Sequence, residues 1–304
     1  MSKTLAILGL ALAALSSAQD PNEAIKVDVD VVNVLCTVHD RQGVLVTNLT
    51  KEDFRIYEDG RSQDIRYFAR EANTPLTVAL LVDVSGSVQS FVQDEKEAVA
   101  KFFEQVLRPD DDALLVGFSS TIVLWQDLTS SAIKLRAALQ KLKSVPFRGL
   151  PPLDQPMPST LLYKGVQESA LSKLKKLPGR KVMVIISDGL DNGSPVPIEA
   201  AIQAVQTTNT IVYGICFESG FSGCSFLKQL SEPTGGRTFR VRKIPLDRIF
   251  EIIEAETRSQ YAIGFVSPNS AHDGKYHKLR VQVLPKGLVV EARKGYYALP
   301  PDSK

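Results

Sequence analysis

The sequence predicts an α/β protein with a doubly wound, mostly parallel sheet, flanked by β structure from both ends of the chain. Between Thr74 and Ser259, apolar runs alternate with segments of helical periodicity, which is typical of a parallel sheet covered by helices. Residues 25–70 and 261–298 instead contain runs that alternate apolar and polar positions, the pattern of half-buried strands. Two central runs, 76–82 and 182–186, are almost wholly apolar, which indicates strands buried on both faces.

Length and composition restrict the class of protein. The 304 residues can form one large domain or two ordinary ones, and 44% hydrophobic and 23% charged residues are typical of a soluble globular protein. The formal net charge is +2 with both signs interspersed, so there is no electrostatic case for a nucleic-acid partner.

Residues 1–18 have the pattern of a signal peptide. Lys3 precedes an apolar stretch, Thr4–Leu15, and Ser16-Ser17-Ala18 places small residues before a cleavage point. The alternative is a buried N-terminal helix. We therefore expect a secreted or periplasmic mature protein, and no later segment is long and apolar enough to predict a membrane span.

The N-terminal β segment is assigned to residues 19–72. Glu58-Asp59-Gly60 is a strong hairpin signal because Asp-Gly tolerates the positive φ of a tight turn. The predicted strands are Ile25–Val38, Val44–Val46, Phe54–Tyr57 and Asp64–Phe68.

The central α/β domain is assigned to residues 73–259. Its predicted strands are Leu76–Val82, Ala113–Phe118, Thr121–Trp125, Lys181–Ser187 and Thr210–Phe217. Its predicted helices are Ser90–Leu107, Ser131–Leu142, Leu161–Leu177, Pro197–Thr207, Ser225–Leu230 and Pro245–Ser259. Five prolines in Pro146–Pro158 exclude regular structure and predict a loop.

The C-terminal β segment is assigned to residues 260–304. Its predicted strands are Tyr261–Val266, Tyr276–Val283 and Leu288–Ala292. We expect them to pair with the N-terminal segment in one sandwich, with the α/β domain inserted between the two halves. Cys216 and Cys224 are close enough in sequence to pair, which leaves Cys36 as a buried thiol.

Oxygen-bearing side chains follow two of the central strands. Asp83, Ser85 and Ser87 come after the first, Asp188 follows a later one, and Thr160 opens a helix between them. The ends of neighbouring parallel strands meet at one edge of a sheet, where ligands bind. This all-oxygen set suits Mg²⁺, or else Mn²⁺ or Ca²⁺, and an open coordination position could accept a partner's carboxylate. The alternative is that they are ordinary turn and N-cap residues.

Enzymatic functions fit the sequence less well. A phosphatase with an aspartyl nucleophile would need a second acid where Ser85 stands, and His39, His272 and His277 all lie outside the central domain. Asp191 and Asn192 are interpreted as turn and cap residues rather than ligands. We expect a protein that is not an enzyme, with a metal-assisted hydrolase as a remote alternative.

The motif Asp83-x-Ser85-x-Ser87, with Thr160 and then Ser187-Asp188-Gly189, resembles the von Willebrand factor type A (VWFA) domain. The flanks Val44–Gly60 and Ala292–Tyr297 resemble an exported VWFA-related family common in acidobacteria. The resemblance implies the strand order 3-2-1-4-5-6 with one antiparallel edge strand. It also implies that the five residues form a metal-ion-dependent adhesion site (MIDAS), at which a ligand acid completes the metal shell.

Two departures from the family pattern lie beside this site. Relatives tend to carry an acid at the position of Lys164, and the loop Pro146–Pro158 is unusually long. The sequence thus predicts a secreted binding or adhesion module that holds an acidic group of a protein partner through a metal ion. The alternative is a structural or assembly protein of the cell envelope with a purely structural metal.

Overall fold

The computed structural model describes residues 31–71, 74–85, 96–142, 159–217, 223–269 and 273–299. The predicted signal peptide, Ser87 and the loop Pro146–Pro158 lie outside these ranges. The strands are β1 (Val31–His39), β2 (Phe54–Glu58), β3 (Arg61–Gln63), β4 (Ile65–Glu71), β5 (Leu76–Asp83), β6 (Asp112–Phe118), β7 (Ile122–Thr129), β8 (Arg180–Ser187), β9 (Thr210–Cys216), β10 (Thr238–Arg240), β11 (Gln260–Val266), β12 (Tyr276–Val283), β13 (Val289–Ala292) and β14 (Gly295–Tyr297). The α-helices are α1 (Lys96–Val106), α2 (Ala132–Lys141), α3 (Leu162–Glu168), α4 (Ile198–Thr207), α5 (Gly223–Ser231) and α6 (Leu246–Arg258).

The central sheet has six strands in the order β10-β9-β8-β5-β6-β7. Its strands pair in parallel except for β7, which is antiparallel to β6 at the edge. Numbered from β5, this is the order 3-2-1-4-5-6, so the expected topology is confirmed.

Both faces of the central sheet are covered, which explains why the sequence of β5 is almost wholly apolar up to Asp83. All eight of its residues are buried. Leu80 and Val82 belong to a cluster with residues of α1, α2 and α6, whereas Ala79 and Leu81 belong to one with residues of α3, α4 and α5. Because successive side chains of a strand point to opposite faces, a strand between two helical layers is apolar at nearly every position.

The helices confirm most of the sequence-based boundaries to within a few residues. Ser131 is the N-cap of α2, and its hydroxyl oxygen accepts a hydrogen bond from the Lys134 N–H at 3.4 Å. Helix α3 continues as a π-helical segment, Ser169–Leu174, where a single helix had been expected.

The described segments before and after the α/β unit (residues 74–259) form a β-sandwich. One sheet has the order β13-β1-β11-β4 and the other β14-β12-β2-β3. Side chains of both sheets, including Val34, Phe54, Ile56, Tyr261 and Phe265, share one core cluster. Each sheet therefore combines strands from before and after the central domain, as expected for an insertion.

Three details of the sandwich differ from the sequence-based prediction. The segment Val44–Val46 is not a strand, and only Leu45 makes an isolated bridge, to His39. The Asp59-Gly60 turn, with φ of 47° and 82°, leads into the short β3 rather than into a strand over Asp64–Phe68. Strand β4, which begins at Ile65, instead pairs with β11 in the other sheet.

The chain enters and leaves the α/β unit at neighbouring points. Glu71 at the end of β4 and Gln260 at the start of β11 are register partners. Between them, Arg180 donates hydrogen bonds to the backbone oxygens of Thr74 and Thr257, which belong to the incoming and outgoing chain segments. One buried arginine therefore ties both crossings together.

Cys216 and Cys224 form a disulfide, and Cys36 is free and buried in the sandwich core. Among the described helices, none combines the length and the apolar character needed to cross a bilayer.

Candidate metal centre

The centre of the site is Asp83, at the carboxyl end of the buried strand β5. Its Oδ2 accepts a hydrogen bond from the Ser187 hydroxyl at 2.7 Å, and its Oδ1 accepts one from the Ser85 N–H at 2.9 Å. Ser187 ends the neighbouring strand β8, and its Oγ accepts the N–H of Gly189 at 2.9 Å. The two strand ends are thus held together by one serine hydroxyl.

Asp83 and Asp188 are two carboxylates in a dry environment. Asp83 is 1% exposed and Asp188 is 3% exposed. Burial raises the pKa of Asp83 to about 6, and the nearby charge of Asp188 acts in the same direction, whereas hydrogen bonds from Ser85 and Ser187 lower it. The named groups that act on this carboxyl are hydroxyls, an N–H and a second acid, and a cation bound here would favour its ionised form.

Thr160 is joined to the segment that follows Asp188. Its N–H donates to Asn192 Oδ1 at 2.6 Å, and its carbonyl oxygen accepts the Asn192 N–H at 3.3 Å. On the other side, the Leu161 N–H donates to the Ser119 carbonyl oxygen at 2.9 Å. The loop carrying Thr160 is therefore docked on the ends of β8 and β6, and Thr160 itself is 8% exposed.

Asp191 and Ser194 continue this support to the start of α3. Asp191 Oδ2 accepts the Tyr163 N–H at 2.8 Å and the Ser194 hydroxyl at 2.6 Å. Ser194 Oγ in turn accepts the Lys164 N–H at 3.0 Å. These side chains cap the helix that follows Thr160, so the cap role assigned to Asp191 is confirmed and Asn192 is a positioning residue.

The backbone is closely packed at the same place. A Cβ added to Gly193 would lie 2.4 Å from Ser159 Cβ. The residue at position 193 must therefore be glycine if the two loops are to keep this approach.

The structure brings Asp83, Ser85 and Asp188 together and connects Thr160 to the segment after Asp188. Ser87 lies outside the described residues. The donor set is carboxylate and hydroxyl oxygen, the type that Mg²⁺, Mn²⁺ and Ca²⁺ accept. The residues present therefore fit a hard divalent cation.

Lys164 is the cationic residue that departs from the family pattern at this site. Its Nζ lies 3.3 Å from Glu168 Oε1, one helical turn further on, and its side chain is about one-third exposed. Its charge is thus paired along the helix surface. Pairing of this kind reduces its repulsion of a metal ion without removing it.

This arrangement defines a doubly wound α/β protein whose candidate site lies at the carboxyl end of the parallel strands, the edge at which such sheets bind ligands. The family model of the von Willebrand factor type A domain matches residues 77–251. This is more than half of the chain, which therefore belongs to that family.

Solved structures agree on the fold. A von Willebrand factor type A protein from Catenulispora acidiphila superposes with a TM-score of 0.51 at 11% identity, covering 89% of this chain and 74% of its own. Proximal thread matrix protein 1 from the mussel byssus gives a TM-score of 0.50 at 16% identity, covering 75% of this chain. The same mussel protein with a zinc-occupied MIDAS motif gives 0.51 at 17% identity, covering 66% and 49% of the two chains.

The present chain spans about half the length of the mussel protein, 50% in the first of these structures. At these identities the likeness shows the fold alone. No curated protein matches the sequence.

Proposed function

We propose that this protein binds a divalent cation, Mg²⁺ or else Mn²⁺ or Ca²⁺, at a MIDAS-type site. The ligands are Asp83, Ser85, Ser87, Thr160 and Asp188, with the two acids contacting the ion directly or through water. The observation that carries the proposal is the buried pair of Asp83 and Asp188, with burial raising the pKa of Asp83 to about 6. Such a pair is costly without a cation and favourable with one.

The bound ion recruits an acidic group of a protein partner. At most two negative charges come from the five protein ligands, so a divalent ion in this shell retains affinity for a further carboxylate. The partner's acid completes the shell in an open position. The module is then a binding or adhesion protein rather than an enzyme. In support, the described histidines, His39 and His277, lie on sandwich strands outside the α/β unit.

The protein acts in an oxidising compartment. The disulfide between Cys216 and Cys224 is of the kind that persists in secreted and periplasmic proteins. It is consistent with a signal peptide over residues 1–18 and a secreted or periplasmic location.

The chain is organised as an N-terminal β segment (19–72), a VWFA domain (73–259) and a C-terminal β segment (260–304). The register pairing of Glu71 with Gln260 supports this division, because the chain leaves and re-enters one sheet at adjacent strands.

Titration calorimetry with Mg²⁺ and Mn²⁺ on the mature chain tests the metal site. Asp83→Ala should abolish binding because it removes a charged ligand from the centre of the shell. Asp127→Ala is the matched control, since Asp127 is a surface acid paired with Lys173 at 2.8 Å. If Asp83→Ala titrates like the parent protein, the metal proposal is wrong.

Partner binding needs a separate measurement. A cation-dependent affinity capture from the host's envelope fraction should retain a protein in Mg²⁺, release it in chelator, and retain none on Asp83→Ala. Free acetate should compete, because it presents the same carboxylate.

A structural role for the metal is the second candidate. The hydrogen bond between Thr160 and Asn192 favours it, because a metal at this site would hold together the loops that carry Asp83, Thr160 and Asp188. That role gains if Mg²⁺ raises the melting temperature while no protein is captured.

A further inference from the structure

A second cluster of metal-binding side chains lies where the sandwich meets the α/β unit. His39 ends β1, Glu291 lies on β13, and Glu256 lies near the end of α6. The His39 Nε2 atom is 3.7 Å from Glu256 Oε1 and 3.6 Å from Glu291 Oε2. One ligand atom from each residue can be chosen so that all three lie within 4.8 Å of one another.

The backbone register explains why His39 and Glu291 meet. Strands β1 and β13 are antiparallel, with His39 opposite Val289 and Thr37 opposite Glu291. His39 and Glu291 are therefore diagonal neighbours on the same face of the sheet. The alternate residues of β1, such as Val38, enter the sandwich core, so His39 points away from that core toward α6.

The polar atoms of this cluster are buried and unsatisfied. His39 is 4% exposed and Glu256 is 0% exposed. Among the described residues, no hydrogen-bond partner exists for either ring nitrogen of His39, for Glu256 Oε2 or for Glu291 Oε2. The two contacts of His39 are longer than a hydrogen bond. Buried polar atoms normally have a hydrogen-bond partner. The absence of one among the described residues indicates that a ligand could occupy the space between these atoms.

Tyr213 on β9 adds an independent observation. It is 0% exposed, and its hydroxyl also has no hydrogen-bond partner among the described residues. Burial raises its pKa, and the charges of Glu256 and Glu291 raise it further, as does the interaction of the hydroxyl with Glu256. A fully buried phenol thus faces the same cluster.

The charges of the cluster do not balance when His39 is neutral. The Arg237 guanidinium forms an ion pair with Glu256, and its Nε lies 3.9 Å from Glu291 Oε2. One guanidinium therefore faces two carboxylates. Arg237 uses Glu256 Oε1, which leaves Glu256 Oε2 available to another group.

We propose that His39, Glu256 and Glu291 bind a first-row divalent metal ion, with Zn²⁺ as the preferred species and water in the fourth position. A four-coordinate Zn²⁺ with bonds of about 2.0–2.2 Å holds its ligand atoms roughly 3.3 Å apart. His39 Nε2 and Glu291 Oε2, 3.6 Å apart, are already close to this spacing. Glu256 has to turn its free Oε2 toward His39, because the 3.7 Å contact is made by Oε1, which Arg237 occupies. An imidazole nitrogen selects such an ion over Mg²⁺, so this site differs in chemistry from the all-oxygen site at Asp83.

A cleft beside the buried cluster gives an ion a route to it. A cleft of about 480 Å³ is lined by His39, Gly43, Arg237, Arg248 and Glu256, among others. The three ligands come from the N-terminal strand, the last helix of the α/β unit and a C-terminal strand. A metal ion here would fasten the sandwich to the α/β unit.

The test uses the full chain with Asp83→Ala, which removes the first site. Titration with Zn²⁺ should show one ion per chain, and X-ray absorption of the bound zinc should show one imidazole nitrogen among oxygen ligands. An all-oxygen site cannot give that signature. In the same background, His39→Gln and the milder Glu291→Gln should each weaken Zn²⁺ binding at least about 10-fold.

His277→Gln is the matched control, because His277 pairs with Asp59 at 2.8 Å on the other sheet and should leave Zn²⁺ binding unchanged. Circular dichroism confirms that each variant is folded. The proposal is overturned if Asp83→Ala binds no Zn²⁺, or if the bound ion lacks an imidazole. It is also overturned if the His39 ring titrates identically with and without Zn²⁺, which would mean that it binds only a proton.

Discussion

Replacing Asp83 by asparagine should stabilise the metal-free protein at neutral pH. Burial raises the pKa of Asp83 from 3.8 to about 6. Each tenfold change in a proton equilibrium corresponds to about 1.4 kcal/mol, so keeping Asp83 ionised costs the folded state about 3 kcal/mol. Asparagine has the same shape without the charge. The free energy of unfolding should therefore rise by up to about 3 kcal/mol in Asp83→Asn.

The sign of the pH dependence follows from the direction of this change. The folded state holds the proton of Asp83 more tightly than the unfolded state, so between pH 3.8 and about 6 it binds more protons and its stability falls as the pH rises. In urea unfolding with a chelator present, the parent and Asp83→Asn should have nearly equal free energies of unfolding below pH 3.8. At neutral pH the variant should be the more stable.

Mg²⁺ should remove most of this difference. At a concentration of 100 times Kd, the parent gains about 2.7 kcal/mol from binding, whereas Asp83→Asn gains nothing. The control Asp127→Asn changes an exposed acid and should stay within about 0.5 kcal/mol of the parent while keeping the full gain. The reasoning is refuted if Asp83→Asn is no more stable than the parent in chelator at neutral pH, or if both gain equally from Mg²⁺.

Three further substitutions test the elements around the site. Gly193→Ala should lower Mg²⁺ affinity by roughly 10-fold or more in calorimetry, because its Cβ would approach another heavy atom to 2.4 Å and displace the loop that carries Thr160. Lys164→Gln should raise Mg²⁺ affinity less than about 5-fold, since Glu168 already pairs with the lysine at 3.3 Å and exposed pairs contribute little. Cys216→Ser should lower the urea unfolding free energy by about 2.5 kcal/mol, because it opens a loop with a sequence separation of 8.

Each of these changes has a matched control. Gly165→Ala adds a methyl in ordinary contact, 3.7 Å from Phe118, and should leave Mg²⁺ affinity unchanged. Lys176→Gln removes an exposed lysine elsewhere and should not alter affinity. Adding a reductant to the parent should reproduce the loss seen in Cys216→Ser. Equal effects of a variant and its control would contradict the structural reason given for that variant.

The central sheet could be predicted from the sequence because most of its strands are recognisable as apolar runs. A strand covered on both faces must be apolar throughout, and the residue at which the run stops, Asp83, marks the ligand edge of the sheet. The disulfide was suggested by spacing alone. The turn at Asp191 was expected, because an acid followed by Gly193 and a serine favours a turn, but its contact with the first turn of α3 was not.

Other features depend on contacts that no local pattern records. Strands β3, β10 and β14 have three residues each, too few for a period to show, and they exist because a neighbouring strand is present. His39, Glu256 and Glu291 lie far apart in the chain, and no spacing connects them. Their proximity follows from the strand register of the sandwich and from the way α6 packs against it, both of which are tertiary.

The neighbouring crossings at Glu71 and Gln260 also have a mechanical consequence. A stretching force applied between residues 31 and 299 acts on β1 and on the segment after β14. The hydrogen bonds between sandwich strands carry that force, since β1 pairs with β11 and β13, and β14 pairs with β12. The α/β unit lies outside these pairings and is connected to the adjacent strands β4 and β11. Arg180 joins the two connecting segments through hydrogen bonds to their backbone oxygens. Tension along the chain would therefore bypass the site at Asp83. A pull through a captured partner would instead load the two clamped crossings first.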